Sequence, residues 1–203
     1  SISGCTTNAL TPTLQFARAL LELQKSTARV IHYSEREFAT IRASIATVAT
    51  ASDSQKDTDA WSKVEAFLEE KLIGHDLPLV WSHGDSGSNF LSNSQNELCG
   101  VMDWETFDKN GLPLYDWILI AIARKLGWKS LDQAFSGKPE QFFDELPIAE
   151  YKAAFDLDLG LLPALSICAW IQYLQHRFRK RGCDPAWLRR NVFDVLSACM
   201  DLV

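Results

Sequence analysis

No apolar run among the 203 residues reaches the roughly 18 that a bilayer-spanning helix requires, and the start, Ser1-Ile2-Ser3-Gly4, carries neither a basic stretch nor a signal core. No membrane association is expected, and the chain reads as cytoplasmic. Basic charge is in deficit as well. With 20 Lys and Arg against 26 Asp and Glu, the formal net charge is −6, which argues against a broad nucleic-acid surface because such a surface must displace counterions from phosphates. The five cysteines are odd in number and contain no Cys-x-x-Cys pair, so neither a disulfide framework nor a zinc knuckle is suggested and reduced thiols are expected. Internal repeats and low-complexity tracts are missing too. What remains is 47% hydrophobic residues and a mean hydropathy of −0.09, enough for a real core in one domain spanning residues 1–203.

Apolar spacing predicts a mainly helical chain. Thr11-Pro12 reads as an N-cap with proline in the first turn of a helix running to about Ala28, with Leu14, Ala17, Leu21 and Gln24 on one stripe. Ser34 and Glu37 form a capping-box pattern ahead of Phe38, Ile41, Ile45 and Val48. Residues 52–57 are polar and read as a loop; a third helix then places Trp61, Val64, Leu68 and Leu72 inward and stops at Gly74. Leu77 to Ser82 is too short for a helix and reads as extended. Asn89–Ser92 and Leu98–Asp103 read as two brief strands joined by a turn at residues 93–96, a small β hairpin among helices. After a loop at 111–114, Tyr115–Leu126 is a buried helix ending at Gly127, and Leu161–Lys180 is another. Between them, Pro139–Asp158 mixes short helical stretches with carboxylates, and Asp184-Pro185 caps a last helix bearing Trp187, Leu188, Val192, Val195 and Leu196.

The chemistry concentrates in one stretch. His83-Gly84-Asp85 follows the extended lead, Asn89-Phe90-Leu91 comes next, and after the hairpin stands Val101-Met102-Asp103-Trp104-Glu105. A carboxylate beside an acceptor hydroxyl can orient it and take its proton as an O–P bond forms, and a carboxylate with an amide oxygen suits a hard cation that bridges nucleotide phosphates. Any one of these residues alone would usually be turn chemistry.

The ordered set resembles the aminoglycoside phosphotransferase and choline kinase family, whose catalytic loop and metal segment read His-Gly-Asp…Asn…Asp-Trp-Glu, followed here by Gly111-Leu112-Pro113-Leu114-Tyr115-Asp116. The resemblance covers about residues 10–200 and implies the helical C-terminal lobe of a protein-kinase-like fold, with the small N-terminal β lobe absent. It implies an ATP-dependent phosphotransferase acting on a hydroxyl of a small molecule. Asp85 would be the catalytic base, His83 the loop brace beside it, Asp103 and Asn89 the Mg2+ ligands, and Asp116 the structural support of the loop. Only Ser86, Gly87 and Ser88 separate Asp85 from Asn89, one residue fewer than the family usually has. Gly87 is the residue expected to let the shortened backbone bend. No Gly-rich strand turn and no Val-Ala-Ile-Lys-like segment precedes Asp85. The nucleotide lobe is therefore expected in cis from a longer chain or in trans, and the competing reading is a non-catalytic binding or scaffolding module. Metal-dependent phosphoester hydrolysis is a weaker third reading, with no second acidic cluster behind it.

Other features read more plainly. His32, His75 and His176 lack ligand spacing and read as ordinary histidines. Arg177, Arg179, Lys180, Arg181, Arg189 and Arg190 read as a solvated helix end, contact with an anionic ligand being the alternative. Glu140, Asp144, Glu145, Glu150, Asp156 and Asp158 read as a solvated acidic face, with attraction of a cationic acceptor the alternative. Without a small lobe, the face around Trp81, Phe90 and Trp104 is expected to expose apolar groups and promote self-association.

Overall fold

The structure, a computed structural model, describes residues 3–4, 10–50, 55–87, 89–125, 131–135, 139–181, 192 and 194–200. In chain order the elements are β1 (Ser3–Gly4), α1 (Leu10–Thr27), β2 (Arg29–His32), α2 (Glu35–Ala49), α3 (Gln55–Leu72) and β3 (Asp76–Ser82). They continue with β4 (Phe90–Ser92), β5 (Leu98–Val101), a 3-10 turn at Trp104–Thr106, β6 (Asp108–Gly111) and α4 (Tyr115–Arg124). Last come α5 (Leu131–Phe135), α6 (Pro139–Phe143), α7 (Ile148–Phe155), a 3-10 turn at Leu159–Leu161, α8 (Leu162–Arg181) and α9 (Asp194–Met200). The chain is mainly α with small antiparallel sheets, and among the described residues no single helix is long and apolar enough to cross a membrane.

Local chemistry explains the helix boundaries. Ser34 is extended at φ −118°, its hydroxyl accepts the Arg36 N–H at 3.3 Å, and the Glu37 carboxylate accepts the Ser34 N–H at 3.2 Å. That reciprocal cap satisfies donors the first turn leaves open and starts α2, whose Phe38, Ile41, Ile45 and Val48 are all buried. Helix α3 buries Trp61, Val64, Leu68 and Leu72 and gives way at Gly74, which has φ +88° and would strain any other residue. Helix α8 is the centre of the core, packed on α2, α3, α4 and α5. There Trp170 stacks on Trp61 of α3 with ring centroids 5.2 Å apart.

Several boundaries differ from the sequence pattern. Helix α1 begins at Leu10, so Thr11 lies inside its first turn rather than capping it. Helix α3 begins at Gln55 and takes up residues the pattern assigns to a loop. The features at Gly127, Asp184-Pro185, Trp187 and Leu188 lie outside the described residues. In place of one hairpin there are two three-stranded sheets, ordered β1-β4-β5 and β2-β3-β6. The sequence pattern misses β2 and β6 for a physical reason: Arg29–His32 shows no apolar alternation, and Asp108-Lys109-Asn110-Gly111 has the composition of a turn. Both become strands because β3 offers each of its edges, pairing Arg29 with Leu79 and Val80 with Gly111.

Ser34→Ala removes the cap acceptor and one of the two donors that hold Glu37. It is expected to lower stability by about 1 kcal/mol, read as a shifted urea midpoint with an unchanged slope.

Candidate active site

Strand β3 ends in the turn His83-Gly84-Asp85, and every backbone N–H and C=O of those residues is held by a side chain. The His83 N–H donates to Asp116 Oδ2 at 2.9 Å and the Gly84 N–H to Asp116 Oδ1 at 3.0 Å. The Thr106 hydroxyl donates to the His83 carbonyl at 3.0 Å, and the Tyr115 hydroxyl to the Gly84 carbonyl at 3.3 Å. The Asp85 N–H donates to His83 Nδ1 at 3.3 Å, and Asn89 Nδ2 to the Asp85 carbonyl at 2.8 Å. With its backbone fully engaged, the turn leaves the exposed Asp85 carboxylate as its outward chemical group.

Asp116 is completely buried in the first turn of α4. Its carboxylate also accepts from Gln24 Nε2 of α1 at 3.1 Å, and the Ser86 hydroxyl donates to its backbone carbonyl at 2.8 Å. Burial pushes the Asp116 carboxyl above the usual carboxylate range, and the His83 and Gly84 N–H groups pull it back. Helix α4 is aimed by Leu114, which sits in the left-handed region at φ 64° with its N–H donated to the Tyr151 hydroxyl at 2.9 Å. Burial, with the charges of Asp116 and Asp85 nearby, raises the Tyr115 phenol well above its usual range, so it stays protonated and donates.

His83 is also completely buried, and its two ring nitrogens have opposite duties. A backbone N–H can only donate and a carbonyl oxygen can only accept, so Nδ1 accepts from Asp85 while Nε2 donates to the Met102 carbonyl at 2.6 Å. The imidazole thus ties the Asp85 turn to the segment carrying Asp103. The Met102 N–H donates in turn to the Asn89 carbonyl at 2.9 Å. Held on both sides through Met102, the chain puts Asp103 in the left-handed region (φ 61°, ψ 57°), and the Asp103 side chain makes no cap to the 3-10 turn that follows.

Asp85 and Asp103 line one cleft of about 300 Å3, together with Gly84, Glu105, Tyr115, Tyr173, His176 and Arg177. Asn89 is not among its lining residues; its amide nitrogen donates back to the Asp85 carbonyl, leaving Oδ1 as its second polar atom. Gly87 lies in no left-handed conformation, so it does not supply the expected bend; a Cβ there would come within 3.2 Å of Ala123 Cβ on α4. Gly84 carries the special geometry instead, with φ +85° and the Thr106 carbonyl oxygen where a Cβ would stand. Among the described residues no group of three or more His, Cys, Asp or Glu converges as a protein-only metal site would.

Some lining residues carried weak sequence signals. His176 and Arg177 come from α8, where they read as an ordinary histidine and a solvated helix end; only the packing of α8 beside the turn brings them to the cleft. Of the acidic set elsewhere, Asp144 and Glu145 pair with Arg124 and Glu150 with Arg18, while Asp158 accepts the Gly160 N–H at 2.8 Å. None of it lines this cleft. Trp81, Met102 and Trp104 are exposed at 37%, 43% and 40%, with Phe107 edge-on to both tryptophans. Phe90 is not part of that surface. Strand alternation turns it inward against Phe16, ring centroids 5.2 Å apart.

Asp116→Asn replaces an acceptor oxygen with an NH2 that faces N–H donors. It is expected to cost about 3 kcal/mol in chemical denaturation, whereas Asp85→Asn, at an exposed position, stays within about 0.5 kcal/mol of wild type. Compared with known proteins, the chain matches no family model, no curated protein and no solved structure.

Proposed function

We propose that the chain is the catalytic lobe of an ATP-dependent phosphotransferase acting on a hydroxyl of a small molecule. The observation that carries the reading is the pairing of Asp85 and Asp103 on one solvent-open cleft above a turn whose backbone is fully immobilised. In this reading the acceptor hydroxyl sits against Asp85, which orients it and takes its proton as the new O–P bond forms and the bond to the nucleotide's bridging oxygen breaks. Asp103 would hold Mg2+, with Asn89 Oδ1 as the second protein oxygen; the ion, when bound, neutralises charge on the phosphates. Few protein oxygens suffice for this ion, which keeps waters and takes substrate phosphate oxygens for the rest of its shell. Arg177 adds a cation on the same cleft, fit to meet the transferring phosphoryl group.

Among the described strands the one lysine is Lys109, exposed on β6, so the phosphate-binding lysine of a small lobe comes from outside them, in cis or in trans. The exposed Trp81, Met102 and Trp104 are the surface against which such a lobe, or a second copy of the chain, would pack.

The experiment is a thermal shift with MgATP. Stabilisation of about 2.7 kcal/mol is expected at 100-fold excess over Kd, lost in Asp103→Ala and retained in Glu70→Ala. Indifference to both magnesium and nucleotide would replace this reading with that of a non-catalytic binding module.

A further inference from the structure

A sheet edge is where a fold leaves backbone groups unpaired, and the β2-β3-β6 sheet keeps one such edge open on β2. Which groups face out of β2 follows from the register. Arg29 stands opposite Leu79 and Ile31 opposite Leu77, and two places further along the same ladder the Tyr33 N–H donates to the His75 carbonyl at 2.9 Å. The Trp81 N–H, donated to the Thr27 hydroxyl at 3.3 Å, keeps the same phase at the other end. Antiparallel partners exchange hydrogen bonds at every second pair, so Arg29, Ile31 and Tyr33 turn their N–H and C=O groups toward β3. Val30 and His32 turn theirs away.

That outward edge is bare. Arg29, Val30 and His32 are all exposed, Val30 at 69%, and among the described residues no side chain caps the outward N–H of Val30 or of His32. Other edges are shielded. On β5 the Leu98 N–H is taken by Gln15 of α1, and on β6 the Asn110 N–H is taken by the Asp108 carboxylate at 2.8 Å.

We propose that β2 pairs with β2 of a second copy of this chain across a two-fold axis at Ile31, so that two three-stranded sheets become one antiparallel sheet of six strands.

Self-complementarity names the occupant. In an antiparallel pair centred on Ile31, Val30 of each copy stands opposite His32 of the other, and this register alone gives both outward residues an outward partner. Each of them then donates its N–H and accepts at its C=O, and the contact closes on itself as an isologous interface must.

The side chains suit the same register. Ile31 is half-buried against the core, and the two isoleucines meeting at the axis would cover what each leaves exposed. On the other face, Val30 of each copy gains the cover of His32, whose Nδ1 lies 3.0 Å from Asp76 Oδ1 of its own sheet. Arg29 falls opposite Tyr33, so the two Arg29 positions lie about 13 Å apart along the seam and like charges do not meet. None of these residues lines the Asp85 cleft, so the dimer stands or falls apart from the phosphotransferase reading.

Sedimentation velocity on the full chain, from about 1 to about 300 µM, tests the seam: a 22.8 kDa monomer should give way with concentration to a species of twice that mass. Two substitutions act on the edge while sparing the bonds to β3. Val30→Pro deletes an outward N–H and Val30→Lys places a charge on the edge; each is expected to weaken the dimer about tenfold or more with circular dichroism unchanged. Trp104→Ser, on the aromatic surface, should leave the dimer intact. In a Cys99→Ser background, Ile31→Cys brings two thiols to the axis, where Cα atoms of a pair without hydrogen bonds stand about 4.5 Å apart. Oxidised glutathione should then join the copies through one disulfide, and the same treatment of Lys109→Cys should not. A monomer across the whole range, a dimer that survives both Val30 changes, a dimer lost in Trp104→Ser, or an Ile31→Cys chain that does not cross-link would each overturn the proposal.

Discussion

A buried carboxylate under a tight turn is the constraint on which the rest of this molecule depends. Asp116 has no access to solvent, and a charge in that position is tolerated only when donors surround it. Its donors are the N–H groups of His83 and Gly84 and the amide of Gln24, so the helix start, the turn and α1 are locked together at one point. Gly84 must be left-handed for both N–H groups to face one carboxylate, and the Thr106 backbone fills the space a side chain would need.

The remaining geometry follows from that lock. With its backbone donors and acceptors spent inside the protein, the turn presents Asp85 from a rigid base, and the His83 ring carries the same rigidity across to Met102. Asp103 stands next in the chain, in a conformation L-residues seldom adopt and which the Met102 hydrogen bonds help impose. Such preorganisation suits the proposed phosphoryl transfer, in which the protein's contribution is position and charge. The cost of fixing the backbone is met at folding, before any ligand arrives.

Away from the turn, a groove between the sheet and helices α2 and α8 is lined by both signs of charge, Arg177 beside Asp85, Asp103 and Glu105 at one end and Arg29 and Arg36 beside Glu37 and Asp108 at the other. Topology brings these residues together. Arg29 lies on a strand that precedes α2, Arg36 on the first turn of α2, and both reach the same groove because β2 pairs with β3 antiparallel. Trp81, Met102 and Trp104 are exposed near the turn and are not among the residues lining the groove.

Residue patterns alone carried much of the helical architecture: the capping box at Ser34 and Glu37, the inward stripe of Trp61, Val64, Leu68 and Leu72, and the positions of Asp85, Asn89 and Asp103 along the chain were all legible there. Those features are local, set by periodicity and by side chains within a few residues of the backbone they serve. Strands β2 and β6, the role of Gln24 on an otherwise apolar stripe, the inward turn of Phe90 and the arrival of His176, Arg177, Arg29 and Arg36 at one groove were not. Each depends on a partner far away in sequence, such as Asp116 for Gln24 or Leu79 for Arg29, and no local preference encodes a partner. The sequence by itself determined where the carboxylates, amides and histidines stand along the chain and which faces of the helices turn inward. Only tertiary structure decided which of those residues share a cleft, because sharing one is a matter of how α8, α2 and the sheet pack around β3.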